Sequence, residues 1–227
     1  MNNIPYTIIF DLDGTLVDTS GDLIAAANKC FESMGFGYVL DPKIDAGVGV
    51  LGGRAMLTLG LQRAGVEIRD FERIIKQFYP RLLNYYSESI NSFSFIYPGA
   101  LETIKLFRRR GFRIGICTNK PELLAQKLLM SLGCRNEFDS LIGADTLPFR
   151  KPDPRPYLEA VSRAGGEYLR SCLVGDSVTD RDTAEAAKVP FIKVNFEITN
   201  GSETTSTTDK VVTDFSQLNK IINEMSR

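Results

Sequence analysis

Short apolar runs alternate with helical patterns along most of this 227-residue chain. Five of the runs have the length and apolar content of buried strands, and amphipathic patterns that stop at a glycine follow some of them. The runs are 6–10, 112–117, 138–143, 172–175 and 190–194. Because strand and helix alternate in this way in parallel sheets, we predict an α/β fold with a doubly wound, Rossmann-like sheet.

A long segment without a convincing strand interrupts this alternation between residues 17 and 95. Its helical patterns lie at 22–34, 54–64 and 70–90. Pro80 is expected to kink or divide the third of them. We therefore predict two domains, an α/β core of residues 1–16 and 96–227 and an all-helical insertion of residues 17–95. The polar stretch 199–208 is expected to be an exposed loop before a final strand and helix.

The composition excludes several classes of function. A formal net charge of −1 creates no field that attracts nucleic acid or an anionic membrane, and no apolar run approaches the roughly 18 residues of a membrane span. We expect neither partner, and the absence of signal-peptide features leads us to expect a cytoplasmic protein. Four widely spaced cysteines without a CxxC pair predict neither disulfides nor structural zinc. The chain has no histidine, which excludes Ser–His–Asp and Cys–His catalysis and histidine-ligated metals.

Polar side chains that could carry chemistry follow the predicted strands, where each strand ends. They are Asp11 and Asp13, Thr118 and Asn119, Lys151, and Asp176 and Asp180. Each alone has a structural explanation as a turn, a helix cap or a solvated loop residue, but the ends of parallel strands share one sheet edge, where such folds bind ligands. Four carboxylates beside one lysine would repel a phosphate unless a hard cation neutralised them. The charges therefore predict Mg²⁺ as cofactor.

These residues form motifs whose order along the chain resembles that of the haloacid dehalogenase (HAD) superfamily. Asp-x-Asp-Gly-Thr stands at 11–15, a threonine and then a lysine follow, and Gly-Asp-x-x-x-Asp stands at 175–180. Residues 10–19 are especially similar to the phosphatase branch, and the insertion resembles the helical cap of phosphoglycolate phosphatase-like members. The resemblance implies an Mg²⁺-dependent phosphatase that hydrolyses a small phosphorylated metabolite through an aspartyl-phosphate intermediate.

The resemblance also implies a role for each acid. Asp11 would be the nucleophile and a metal ligand, and Asp13 would be the general acid and base, with its backbone carbonyl on the metal. Asp176 would be the other metal ligand from the protein, and Asp180 a supporting acid.

The remaining site residues would bind the substrate. The resemblance makes Thr118, Asn119 and Lys151 the groups that hold the transferring phosphoryl oxygens, and Thr118 and Lys151 are catalytic in that sense. In the insertion, the glycine-rich segment 47–54 leads into a helix, and Arg54 is a candidate for a substrate carboxylate. A flexible hinge with an ordinary surface arginine explains the same segment.

Several alternatives stay open at this point. β-Phosphoglucomutase-like phosphoryl transfer is one alternative, although the proteins of that branch use a cap histidine and this chain has no histidine. The dehalogenases and phosphonatases of the superfamily are disfavoured, because they lack the acid at the position of Asp13. A phosphatase for a nucleotide, a sugar phosphate or pyrophosphate, and a catalytically silent HAD-fold binding protein, remain possible. Response-regulator receivers place the acidic pair and the phosphoacceptor in another order. The oligomeric state, monomer or homodimer, is open.

Overall fold

The structure is a computed structural model that describes residues 5–49, 52–196 and 210–226. The chain divides into two compact units, one of Met1–Leu16 with Ile96–Arg227 and one of Val17–Phe95. The stretch 199–208, predicted as a loop, lies outside the described residues, as do Val50 and Leu51 of the glycine-rich segment. Among the described residues, no helix combines the length and the hydropathy needed to cross a bilayer.

Strands and helices follow one another through the described ranges. The strands are β1 (Thr7–Phe10), β2 (Val17–Asp18), β3 (Phe95–Ile96), β4 (Arg113–Cys117), β5 (Ser140–Ile142), β6 (Ser171–Gly175), β7 (Phe191–Val194) and β8 (Lys210–Val212). The helices are α1 (Ser20–Ser33), α2 (Pro42–Gly49), α3 (Gly53–Arg63), α4 (Ile68–Glu88), α5 (Ala100–Arg109), α6 (Glu122–Ser131), α7 (Pro154–Arg163), α8 (Val178–Ala187) and α9 (Phe215–Met225).

The first unit is built on a six-stranded sheet in the order β5-β4-β1-β6-β7-β8, and every neighbouring pair of strands is parallel. β1 lies in the middle of the sheet, β4 and β5 follow on one side of it, and β6, β7 and β8 follow on the other. This is the doubly wound order, so the predicted α/β Rossmann-like fold is confirmed. Ligands bind in such folds where the order reverses, which is here between β1 and β6.

Helices cover the sheet because its strands are apolar on both faces. Ile8, Ile9 and Phe10 of β1 are fully buried, which is typical of a central parallel strand. One face packs against α7 and α8 through a cluster that includes Ile9, Tyr157 and Leu173. All four cysteines are buried free thiols. The core thereby fixes the positions of the strand ends, on which the candidate site depends.

The second unit contains α1 to α4, and the sequence patterns missed part of it. Helix α2 includes the start of the glycine-rich segment, which is therefore partly helical. The strands β2 and β3, of two residues each, form a short two-stranded sheet. Division of the third helix at Pro80 was wrong, because α4 runs without a break from Ile68 to Glu88. Its buried face includes Phe78 and Leu82, on either side of the proline, and this packing offsets the hydrogen bond that proline cannot donate.

Candidate active site

Three carboxylates meet at the carboxyl edge of the sheet. Asp11 directly follows β1 and Asp176 directly follows β6, and these strands are parallel neighbours. Asp180 lies in the first turn of α8. One carboxylate oxygen from each of these three residues lies within 4.8 Å of the others. The fold therefore brings together acids that are up to 169 residues apart in the sequence.

Asp180 is held by both of its carboxylate oxygens. Its Oδ1 accepts a hydrogen bond from Lys151 Nζ at 2.6 Å, and its Oδ2 accepts hydrogen bonds from the Ser177 hydroxyl and backbone N–H, at 2.5 and 3.1 Å. Ser177 also caps α8, which completes a capping box. Gly175 permits this arrangement, since a Cβ there would lie 2.4 Å from Asp180 Cγ. Asp180 therefore orients Lys151 and the start of α8.

Lys151 is buried between two of the acids. Its Nζ lies 2.8 Å from Asp11 Oδ1 as well as 2.6 Å from Asp180 Oδ1. Burial acts to lower the pKa of Lys151, but Asp11 and Asp180 outweigh it, and the pKa lies well above its ordinary value. The exposed Asn119 donates from Nδ2 to the Lys151 carbonyl at 3.0 Å, so it contacts the lysine through the backbone. The ammonium is thus charged and fixed at the sheet edge.

The acids together carry more negative charge than their surroundings favour. Burial raises the pKa of Asp11, with Lys151 opposing the shift and Asp180 adding to it. Burial also raises the pKa of Asp176, and the charges of Asp11 and Asp180 raise it further. Asp11 Oδ1 is buried and forms an ion pair with Lys151 Nζ at 2.8 Å, and no residue that the structure describes donates a hydrogen bond to it. An all-oxygen donor set with this excess of negative charge fits a hard divalent cation.

A second lysine, which the sequence analysis did not assign to the site, lies beside Asp13. Lys120 is buried, and its Nζ donates a hydrogen bond to Asp13 Oδ1 at 2.8 Å. The sequence analysis counted only Lys151 as a cation among the acids, and that count was wrong. The position of Lys120 in the sequence could have indicated this role, because Lys120 lies two residues after Thr118, which directly follows β4.

Two threonines complete the described site. Thr118 directly follows β4 and is buried, and its Oγ1 accepts a hydrogen bond from the Lys120 backbone N–H at 3.2 Å. Thr15 is fully buried, and its Oγ1 donates to Asp176 Oδ1 at 2.7 Å. Gly14, at φ 79°, supplies the left-handed turn that carries the chain from the aspartates to Thr15. Thr15 was part of the recognised motif but received no role in the sequence analysis.

Arg54 belongs to the second unit and lies in the first turn of α3. It is exposed, and its guanidinium carbon lies 5.0 Å from the centre of the Tyr79 ring, a cation–π contact. Its proposed contact with substrate stays a prediction.

The sequence of this chain is similar to those of known proteins. The profile of a family described as "Haloacid dehalogenase-like hydrolase" matches residues 8–194. The phosphoglycolate phosphatase of Mesorhizobium japonicum is 38% identical over 195 residues, which cover 85% of this chain and 84% of that protein. The phosphoglycolate phosphatase of Agrobacterium fabrum is 37% identical over 210 residues, 92% of this chain and 89% of that protein.

The fold is also similar to solved structures. A crystal structure described as a predicted phosphoglycolate phosphatase from Haemophilus somnus superposes with a TM-score of 0.79 at 27% identity, covering 96% of this chain and 97% of that one. A haloacid dehalogenase-like hydrolase from Bacteroides fragilis superposes with a TM-score of 0.75 at 24% identity, covering 94% of this chain and 99% of that one, which shows the shared fold.

Proposed function

The chain belongs to the haloacid dehalogenase-like hydrolase family, in its phosphoglycolate phosphatase-like branch, and on this premise we propose that it hydrolyses phosphoglycolate with the help of Mg²⁺. Family membership, together with relatives named phosphoglycolate phosphatase that are 37–38% identical, shows that the chain is a phosphatase. The observation that carries the mechanism is the cluster of Asp11, Asp176 and Asp180 at the carboxyl edge of the sheet, in which Lys151 is paired with Asp11 and Asp180. The relatives named phosphoglycolate phosphatase support the choice of substrate.

The acids of the cluster fit the cofactor. The carboxylates of Asp11 and Asp176 and the backbone carbonyl of Asp13 would hold Mg²⁺, while both oxygens of Asp180 are engaged by Lys151 and Ser177. Bound there, the cation would neutralise the acids and allow a phosphate dianion to approach a carboxylate. Asp180 then acts as the supporting acid, because it fixes the lysine.

Asp11 and Asp13 divide the covalent chemistry. An oxygen of Asp11 attacks phosphorus while the bond from phosphorus to the ester oxygen breaks, and Asp13 gives a proton to that departing oxygen. Water then attacks the phosphorus of the aspartyl phosphate, Asp13 takes a proton from that water, and the bond between Asp11 and phosphorus breaks. The products are an alcohol, here glycolate, and inorganic phosphate. Asp13 ends the cycle with the proton with which it began.

The remaining groups bind and orient the substrate. Lys151 and Thr118 would hold the transferring phosphoryl oxygens, and Asn119 would assist them through the loop of Lys151. We propose that the helical unit 17–95 acts as a cap that controls access of water and substrate. Arg54 is our candidate for recognising the carboxylate that distinguishes phosphoglycolate from simple phosphate esters, because a guanidinium can bind a carboxylate through two hydrogen bonds.

A substrate panel tests the proposal. Purified protein is assayed for phosphate release from phosphoglycolate, sugar phosphates, nucleotides, pyrophosphate and an aryl phosphate, with Mg²⁺ and after treatment with a chelator. We expect phosphoglycolate to have the highest kcat/KM and chelation to abolish turnover. Asp11→Asn should reduce kcat by at least about 10³-fold, whereas Asp182→Asn, an exposed acid on α8, should leave it unchanged.

The possible results separate the two parts of the proposal. Undiminished turnover by Asp11→Asn, or by metal-free protein, would refute the mechanism. Weak turnover of phosphoglycolate beside efficient turnover of another ester would refute only the choice of substrate.

A further inference from the structure

We propose that Lys120 is a positioning residue for Asp13, and that it holds the Asp13 carboxyl group in the orientation from which it exchanges a proton with the leaving group and with water. This inference rests on the proposed function, in which Asp13 is the general acid and base. Its observation is independent of the metal cluster, because Lys120 contacts Asp13, whereas Lys151 contacts Asp11 and Asp180.

The contact between Lys120 and Asp13 is close and partly buried. The 2.8 Å separation of Lys120 Nζ and Asp13 Oδ1 is the length of a charge-assisted hydrogen bond. Only 4% of the Lys120 side chain and 17% of the Asp13 side chain is exposed to solvent. Water therefore screens this pair far less than it screens a surface salt bridge. The buried ammonium therefore makes a directional contact with Asp13 Oδ1.

The backbone of Lys120 is fixed at both ends of the residue. Its N–H donates to Thr118 Oγ1 at 3.2 Å, and its carbonyl accepts a hydrogen bond from the Ala144 N–H at 3.0 Å. Pro121 follows directly and restricts the next φ angle. A lysine side chain is otherwise flexible, so a fixed backbone and a buried stem reduce the entropy lost in holding the ammonium at one place.

This geometry orients the Asp13 carboxyl group, because the ammonium of Lys120 donates to its Oδ1. In the first half-reaction the oriented carboxyl group gives its proton to the departing oxygen as the phosphorus–oxygen bond breaks. In the second, it receives a proton from the attacking water. Lys120 takes part in neither proton transfer, because its role is to hold Asp13.

The leaving group provides a readout that a purely structural role would not affect. An alkyl phosphate such as phosphoglycolate needs a proton on its departing oxygen, whereas a nitrophenolate departs without one. We compare Lys120→Met with the wild-type chain, using single-turnover and steady-state kinetics on phosphoglycolate and on 4-nitrophenyl phosphate. We expect kcat on phosphoglycolate to fall about 10²-fold with KM little changed. The single-turnover release of nitrophenolate should fall less than about threefold.

Two further variants separate positioning from charge and from folding. Lys120→Arg keeps a donor and a positive charge and should restore turnover of phosphoglycolate to within about tenfold of wild type. In an Asp13→Asn background, Lys120→Met should change nitrophenolate release by less than about twofold, because Lys120 acts through Asp13. All variants are assayed well below their melting temperatures, and Lys120→Gln replaces Lys120→Met if the latter is unfolded.

The results distinguish the failure of each idea. Equal losses in the single-turnover release of glycolate and of nitrophenolate, or a full loss in the Asp13→Asn background, would overturn the role of Lys120 while leaving the phosphatase activity of the wild-type chain intact. Unchanged kcat on phosphoglycolate in Lys120→Met would overturn it as well. A wild-type chain that hydrolyses neither substrate would overturn the proposed function, and the role of Lys120 with it.

Discussion

Replacing Thr15 by valine should weaken the proposed binding of Mg²⁺ while leaving every proposed metal ligand in place. Thr15 is fully buried, and its hydroxyl donates to Asp176 Oδ1 at 2.7 Å. This hydrogen bond lowers the pKa of Asp176, but burial and the charges of Asp11 and Asp180 keep that pKa raised. Valine has nearly the same shape but no hydroxyl. The variant therefore leaves Asp176 in place and removes a group that stabilises its charged, metal-binding form.

The expected magnitude follows from the type of bond. A hydrogen bond to a charged group contributes about 1.5–3 kcal/mol, and loss of a group that orients a metal ligand typically costs about 10–100-fold in metal affinity. These ranges agree, because a tenfold change in a binding constant is about 1.4 kcal/mol. We therefore expect the Mg²⁺ concentration for half-maximal activity to rise about 10–100-fold in Thr15→Val.

The assay is a titration of phosphatase activity with Mg²⁺, supported by calorimetric titration of the metal-free protein. Thr15→Ser is the matched control, because serine keeps the hydroxyl and should bind Mg²⁺ within about threefold of wild type. An unchanged Mg²⁺ requirement in Thr15→Val would refute the reasoning, and so would an equal loss in both variants.

The helical unit offers two predictions on stability. Asp22 is buried and accepts backbone hydrogen bonds from Ser92 and Ser94, so Asp22→Asn should reduce the free energy of unfolding by about 3 kcal/mol in urea denaturation. Asp70, whose side chain is 39% exposed and forms a surface ion pair with Arg73, is the control. Asp70→Asn should cost less than about 1 kcal/mol, and equal costs for the two variants would contradict the prediction for Asp22. The hydrogen bonds of Arg63 lower the pKa of the buried Asp45, so this pair stabilises the fold above about pH 4 and the effect is lost as pH falls through the lowered pKa. We expect Arg63→Gln to be about 1–2 kcal/mol less stable than wild type at pH 7, after allowance for solvent screening. Urea denaturation should show this difference in stability shrinking below about pH 4. A difference that stays constant with pH would refute the stabilising role of the Arg63–Asp45 pair.

Local patterns in the sequence were sufficient to predict the framework of the core. Apolar runs such as 6–10 can only be buried, and a polar residue directly after such a run marks where a strand leaves the sheet. Parallel topology then places Asp11 and Asp176 at one edge, whatever their separation in the chain. These inferences succeed because they depend on periodicity and on a topological rule, both of which the order of residues carries.

Contacts between side chains were decided by the tertiary structure. The pairing of Lys120 with Asp13 and that of Thr15 with Asp176 join residues 107 and 161 positions apart, and neither motif specifies its partner. The same holds for α4, which continues through Pro80 because its buried face packs on both sides of that residue. Local preferences are worth about 1–3 kcal/mol, and burial of a large apolar side chain is worth as much. Tertiary packing can therefore override a local signal, and only the packed chain determines which lysine meets which aspartate.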